Sequence, residues 1–358
     1  MRILFVSYGT EKAPATRYRV SQYLPQLEKR GIKYRSFSAI SGISTALMIK
    51  SPDFGPLTKL LYYVYVSIER MLRLIHVIFI ARRFNAIFLQ RTTFPFRLEI
   101  LLKILNKNII FDIDDAIYLP DKEGRDLVTR IKKYVKKGEV INILKVSKTV
   151  IVENEYIREF VSRYCNRVVK IPGPIDTERF FVLPKEKDKS VVVGWIGSPA
   201  TTAYLYMLND ALRRVSEKYD FVKFKFIGLG KYTNPGVRHE RVDWSYDSEV
   251  RNLQGCDIGI MPMPDNEWTR GKLGCKMLQY MAVGIPAVVS YTPTNAEMIK
   301  NGENGFFTVT TEEWIRVLSE LIENERLRQT VGQKGRATVV EKCSLTRNID
   351  RLLGVLND

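Results

Sequence analysis

The 358 residues can fill two medium-sized cores, and 45% hydrophobic with 27% charged residues is the balance of a folded chain, not a disordered one. Four cysteines without a C-x-x-C pair, and only two histidines, His76 and His239, argue against structural zinc, a disulfide framework and any mechanism built on a histidine dyad. The net charge of +17 is uneven: residues 1–180 hold 32 Lys and Arg against 17 Asp and Glu, and residues 181–358 hold 24 against 22. The basic half is expected to face something anionic: a membrane surface, a phosphorylated acceptor or nucleic acid.

The chain opens on "RILFVSY", which reads as a buried strand and is too short for the apolar core of a secretory signal. The loop "GTEKAPATRYR", a helix from about Val20 to Lys29 and a strand in "IKYRSFSAI" complete a β-α-β start. In "LLYYVYVSIERMLRLIHVIFIARR" (60–83), Glu69, Arg70 and Arg73 break the apolar run, so a packed or surface-lying helix is expected, not a membrane span. Strands follow in "AIFLQR" (86–91), "NIIFDIDDAIYLP" (108–120), "TVIVEN" (149–154) and "VVKIPG" (168–173), with a helix between the last two. "PGPIDTERFFVLPKEKDKS" has the composition of an interdomain linker. The second half alternates again: "SVVVGWIGS", a helix near 203–218, "VKFKFIGLG", "DIGIMPM", a helix in "GKLGCKMLQYMAVG", "PAVVS", then two or three closing helices. Two β/α alternations predict two doubly wound domains with a cleft between them.

Ligands of such sheets bind at the carboxyl ends of the strands, where three polar segments fall. In "YGTEKAPATRYR", Gly9 permits close backbone approach and Arg17 and Arg19 add positive charge; a solvated loop is the plain alternative. In "GWIGSPATT", Gly197, Ser198, Thr201 and Thr202 suit a phosphate at a helix start, although Ser and Thr also serve there as routine caps. In "DNEWTRGKLGCKMLQYMAVGIP", Arg270, Lys272 and Lys276 cluster at a predicted helix N-terminus, where the helix dipole disfavours cations unless an anion neutralises them. Gly271 and Gly274 leave room for N–H groups to approach that anion, so the stretch reads as a diphosphate cradle.

"KMLQYMAVGIPAVVS" followed by "NAEMIKNGENGFF" resembles the nucleotide-sugar domain of retaining glycosyltransferases of the GT-B fold, in the family 4 group. "VIVENEYIREFV", "VVKIPGPIDTERF", "VVVGWIGSPATTAYL" and "QTVGQKGRATVVEKCSL" extend the resemblance along the chain. It implies an acceptor-binding Rossmann-like domain over 1–182, a linker over 183–189 and a nucleotide-sugar domain over 190–358, with room for the last helix to pack back on the first domain. The implied reaction moves a sugar from a UDP- or GDP-linked donor to the hydroxyl of a glycan, glycolipid or other cell-envelope acceptor, with retention and without metal or cofactor. Lys276, Arg270 and Asp114 would be catalytic, the last near where many relatives place a histidine. Gly197, Ser198, Thr201, Thr202, Lys272, Gly274, Lys276 and Gln279 would hold the donor. Gly9, Arg17, Arg19, Arg91 and Asp114 would meet the acceptor. Of the two glutamates common in the family, Gly271 stands at the first position and Gln279 at the second. The sugar contact then falls to Asp265, Asn266 or Glu267.

"FDIDDAIYLP" also resembles the metal-binding Asp-x-Asp of the other major glycosyltransferase fold. Its place in the first half favours a polar contact for Asp114 and structural pairing for Asp112 or Asp115. "TRIKKYVKKG" (129–138) is a basic amphipathic helix, and Lys132, Lys133, Lys136 and Lys137 would dock it on an anionic inner leaflet, making a cytoplasmic protein peripheral to the membrane. A sugar-nucleotide epimerase of the same fold and a non-catalytic scaffold are alternatives. A nucleic-acid-binding protein is weaker, since no RNP, helix-turn-helix, KH or zinc pattern supports it.

Overall fold

The computed structural model describes residues 1–50, 54–119, 127–184 and 190–357. The chain divides into two compact units, Met1–Pro174 with Leu345–Asp358, and Ile175–Ser344. The first contains β1 (Arg2–Ser7), β2 (Lys33–Ser38), β3 (Ala86–Gln90), β4 (Ile109–Ile113), β5 (Thr149–Val152) and β6 (Val168–Lys170), in the order β2-β1-β3-β4-β5-β6. The second contains β7 (Val191–Ile196), β8 (Val222–Ile227), β9 (His239–Val242), β10 (Ile258–Met261), β11 (Ala287–Ser290) and β12 (Phe306–Thr308), in the order β12-β11-β10-β7-β8-β9. All pairings are parallel.

Strand order reverses beside the first strand of each sheet, between β1 and β3 and between β7 and β10. Connections leave such a pair toward opposite faces, so a crevice opens at its carboxyl ends. Both faces are covered, which is why the strands are near-continuous apolar runs. In β3, Ile87 and Leu89 pack with Leu74 and Val77 of the helix Pro56–Ile80 and with Val140 and Ile143 of the helix Leu127–Val146. Phe88 faces the other way, toward Val20, Ile349 and Leu352.

Two expectations shift. The helix expected from Val20 begins earlier, as Pro14–Arg19, and resumes as Leu24–Lys29, because Pro14 and Pro25 each suit a helix start and cannot continue a preceding one. The boundary expected at 182/183 falls at Pro174/Ile175. Phe180 is buried, and Arg336 donates to the carbonyls of Phe180, Thr177 and Ala282, so residues 175–182, expected in the first domain, belong to the second unit. Residues 185–189 of the expected linker lie outside the described residues.

Candidate functional site

The second unit's crevice is built around a tyrosine. Tyr280, on the helix Cys275–Ala282, is fully buried; its hydroxyl accepts from the Ile196 N–H at 3.0 Å and donates to the Ile260 carbonyl at 3.0 Å. These groups lie at the ends of β7 and β10, whose ladder is confined to Ile258↔Val193 and Gly259↔Gly194. The phenol thus stands where further ladder bonds would form. Gly259 makes room for it: a Cβ there would come within 2.2 Å of the ring.

The loop after β7 is held by close backbone packing. A Cβ on Gly197 would come within 2.2 Å of the Trp195 ring, and one on Gly228, at φ +72°, within 2.4 Å of the Gly197 carbonyl. Ser198 and Thr201 form a reciprocal cap on the 3-10 helix Pro199–Leu208. Thr202 is buried, donating to the Ser198 carbonyl at 3.1 Å and accepting from the Gly230 N–H at 2.8 Å. Its hydroxyl proton is thus committed to the loop's own backbone.

Lys276 reaches this loop from the second position of its helix. Its Nζ donates to Thr201 Oγ1 at 3.0 Å and lies 4.4 Å from the centroid of the Trp195 ring. No carboxylate among the described residues forms an ion pair with it. Burial, reinforced by the Lys272 charge, lowers its pKa to about 7. A cation at a helix N-terminus is disfavoured by the helix dipole unless an anion lies beside it.

The rest of the expected cation cluster is dispersed. A separate short helix, Glu267–Arg270, puts Arg270 at its C-terminal end, where it forms two hydrogen bonds to Asp265, at 2.7 and 2.9 Å. Lys272 lies over Trp268, 4.8 Å from the ring centroid. Gly274 packs against the flexible end of Met261, whose terminal methyl would lie 2.4 Å from a Cβ there and would have to swing aside. Gly271 takes an ordinary φ of −83°. Of the three candidates for the sugar contact, Asn266 caps the short helix and Asp265, though exposed, pairs with Arg270, whereas the exposed Glu267 forms no ion pair among the described residues. Gln279 is buried and donates to Glu249 Oε1 at 2.8 Å; Glu249 also accepts from Trp244 at 3.1 Å and pairs with Arg179 at 2.9 Å. Sequence reading missed Tyr280, Trp195 and Glu249. Their only signal was adjacency to quoted motifs, "QY" and "GWIGS", and Glu249 had none.

In the first unit the carboxyl edge of the sheet is densely charged. Arg19 is buried and grips Asp112, with hydrogen bonds of 2.5 to 3.2 Å, while donating to the Ile171 carbonyl at 2.9 Å. Arg91, at φ 51°, pairs with Asp114 and, at 2.6 Å, with Asp115. Burial pushes the Asp114 carboxyl up, but Arg91 more than offsets it, leaving it below the usual range. Burial, with the nearby Asp114 and Asp115 charges, pushes the neighbouring Glu153 carboxyl well above that range. The side-chain amide of Gln90, paired in register with Asp112 at the β1/β3 reversal, is buried without a hydrogen-bond partner among the described residues.

Gly9 is enclosed, its carbonyl accepting from Ser7 and Thr16, and Arg17 turns onto the carbonyls of Glu11 and Lys12. Arg19 is therefore a structural ion pair, not an open acceptor contact. The two aspartates of the Asp-x-Asp each face their own guanidinium. Among the described residues no group of three or more His, Cys, Asp or Glu could hold a metal ion. On the helix Leu127–Val146, the side chains of Lys132 and Lys133 lie outside the described residues, and Lys137 is exposed. Lys136 turns inward and donates to Thr93 at 3.0 Å; burial, then Arg70, lowers its pKa to about 8. It is thus removed from the expected membrane face, because Val140 and Ile143 set which side of the helix is buried.

Two units of this topology define the GT-B fold, as comparison with solved structures shows. HepE (Alr3699) of Anabaena, in complex with UDP and glucose, aligns over 100% of both chains with a TM-score of 0.69 at 14% identity. A glycosyltransferase from Rickettsia africae ESF-5 gives 0.69 at 12% identity, covering 99% of this chain and 97% of that one. Sucrose-phosphate synthase from Thermosynechococcus elongatus gives 0.67 at 11%, covering 100% and 98%. Residues 189–324 match the family model of glycosyl transferases group 1. Over 214 residues the chain is 20% identical to "Putative teichuronic acid biosynthesis glycosyltransferase TuaH" of Bacillus subtilis (strain 168), covering 54% of this chain and 52% of that protein. The chain thus spans about half the length of that curated relative.

Proposed function

We propose that this protein is a glycosyltransferase that binds a nucleoside-diphosphate sugar in the Ile175–Ser344 unit and moves the sugar to an acceptor hydroxyl with retention. The observation that carries this reading is Lys276: a partly buried cation, at a helix start and a strand-order reversal, with no carboxylate partner among the described residues. A diphosphate supplies the missing charge. As the anomeric carbon leaves the β-phosphate oxygen for the acceptor oxygen on the same face, charge grows on the phosphate, and the acceptor proton ends there. Lys276, with Lys272, stabilises that charge electrostatically. The family match over 189–324 supports the same unit as the donor side. UDP is the nucleotide to test first, since HepE was solved with it.

Acceptor hydroxyls would meet the Arg91–Asp114–Asp115 edge and the unpartnered Gln90 amide of the first unit. The name of the Bacillus relative favours a cell-envelope polymer as acceptor. The reaction needs no metal in this reading, and peripheral attachment to the inner membrane face suits a lipid-linked acceptor. Calorimetric titration with UDP and GDP tests the donor site. Lys276→Ala should weaken binding at least about tenfold, the loss of one charge-assisted hydrogen bond, with the fold intact by circular dichroism. Unchanged affinity removes Lys276 from the site. Turnover should survive EDTA; loss on chelation with recovery in Mn²⁺ would reinstate the Asp-x-Asp as a metal site.

A further inference from the structure

Glu69, Arg70 and Arg73, which interrupt the apolar run in the sequence, all lie on the inner face of the helix Pro56–Ile80. Glu69 accepts from the Ser41 N–H at 3.0 Å and from the Ser44 hydroxyl at 2.5 Å. Arg70 pairs with Glu139 at 2.9 Å, and Arg73 with Glu69 at 3.2 Å. The outer face is left with Leu57, Leu61, Val64, Ile68, Leu72 and Phe79, between 51% and 77% exposed, spaced by three, four or seven residues on one stripe. The helix Leu98–Leu105, which is in contact with Pro56–Ile80, also leaves Leu101 and Ile104 exposed. Exposed Arg82, Arg83 and Lys107 flank the stripe. An apolar patch this long on a charged protein marks an interaction surface.

Charge selects the occupant. The unit that carries the stripe holds 33 Lys and Arg against 17 Asp and Glu, the other unit 23 against 22. A second copy would set two strongly positive surfaces side by side, whereas an anionic bilayer complements both the stripe and its basic flanks. Among the described residues no helix is long and apolar enough to cross a membrane, so this one would lie in the interface. We propose that the outer face of Pro56–Ile80, with Leu101 and Ile104, docks the protein on an anionic lipid surface. The proposal does not depend on the transfer reaction.

Flotation of the full chain with phosphatidylglycerol/phosphatidylcholine vesicles tests it, without donor or acceptor present. Wild type should float with the anionic vesicles, and less with phosphatidylcholine alone or at high salt. The variant Leu61→Ser, Ile68→Ser, Leu72→Ser and Phe79→Ser changes only exposed side chains. It should lose at least tenfold in partitioning while keeping its circular dichroism and melting profile. Equal flotation of variant and wild type overturns the proposal. So does absence of vesicle binding together with a wild-type dimer, seen by light scattering, that the variant converts to monomer; the stripe is then a self-association face.

Discussion

Lys276 is costly to the fold, and in the proposed function an anion offsets that cost. Unfolded lysine holds its proton to about pH 10.4, but in this site the ammonium releases it at about 7. Between those values the unfolded state binds more protons, so this residue's penalty is full below about pH 7 and fades as pH rises. A bound diphosphate restores the charge. Near pH 8.5, nucleoside diphosphate binding should therefore take up close to one proton, read from titrations in buffers of different ionisation enthalpy. Lys276→Met should abolish the uptake and raise the ligand-free melting temperature, most clearly at or below neutral pH. Uptake unchanged in the variant would assign the proton to another group. The importance of this loop was legible from its cations, yet which cation stays unpaired was not. Arg270 and Lys276 look equivalent in the string, and only the short helix Glu267–Arg270 turns Arg270 onto Asp265.

At the scale of elements, the second unit's crevice is a gap between two strands with one phenol in it. The helix Cys275–Ala282 follows the cation loop directly, so its Tyr280 and Lys276 move together. Tyr280→Phe keeps the ring over Gly259 but strands the Ile196 N–H and the Ile260 carbonyl. A buried unsatisfied group costs about 1–3 kcal/mol, so chemical denaturation should show a loss in that range, and nucleotide affinity should fall with it as Ile196 and the following Gly197 loop loosen. A variant as stable as wild type would mean that the strands close on each other instead. The helix itself was readable from its periodicity. Its hydroxyl's partners were not, because they sit 84 and 20 residues away in the chain.

At the scale of the molecule, the last helix, Leu345–Asn357, belongs to the first unit although the chain reaches it from the second. Leu345, Ile349, Leu352, Val355 and Leu356 are buried in the cluster that holds Ile3, Phe5 and Phe88. Full burial of a large aliphatic side chain contributes roughly 1.5–3 kcal/mol, so the five together rival the whole stability of an ordinary domain. Ending the chain at Ser344 should therefore unfold the first unit. Calorimetry should show one transition lost or lowered by more than about 10 °C, with nucleotide binding by the second unit kept. An unchanged melting profile would show that the helix is dispensable.

What the sequence determined by itself was everything governed by local period and local stereochemistry. Alternating apolar runs and helical faces specified two parallel α/β sheets, and the Gly, Ser and Lys content of the loops after β7 and β10 marked the ligand edge. Tertiary structure decided which polar groups remain available. Arg19 disappears into Asp112, Gln279 into Glu249, Thr202 into Gly230 and Lys136 into Thr93, each a partner chosen through space. The same choice turned Glu69, Arg70 and Arg73 inward and left the outer face of their helix apolar. A helix's period says which residues share a face; only the surface it packs against says which face is hidden. Burial drives each charge to its counter-charge wherever the fold brings one, and chain separation carries no record of that.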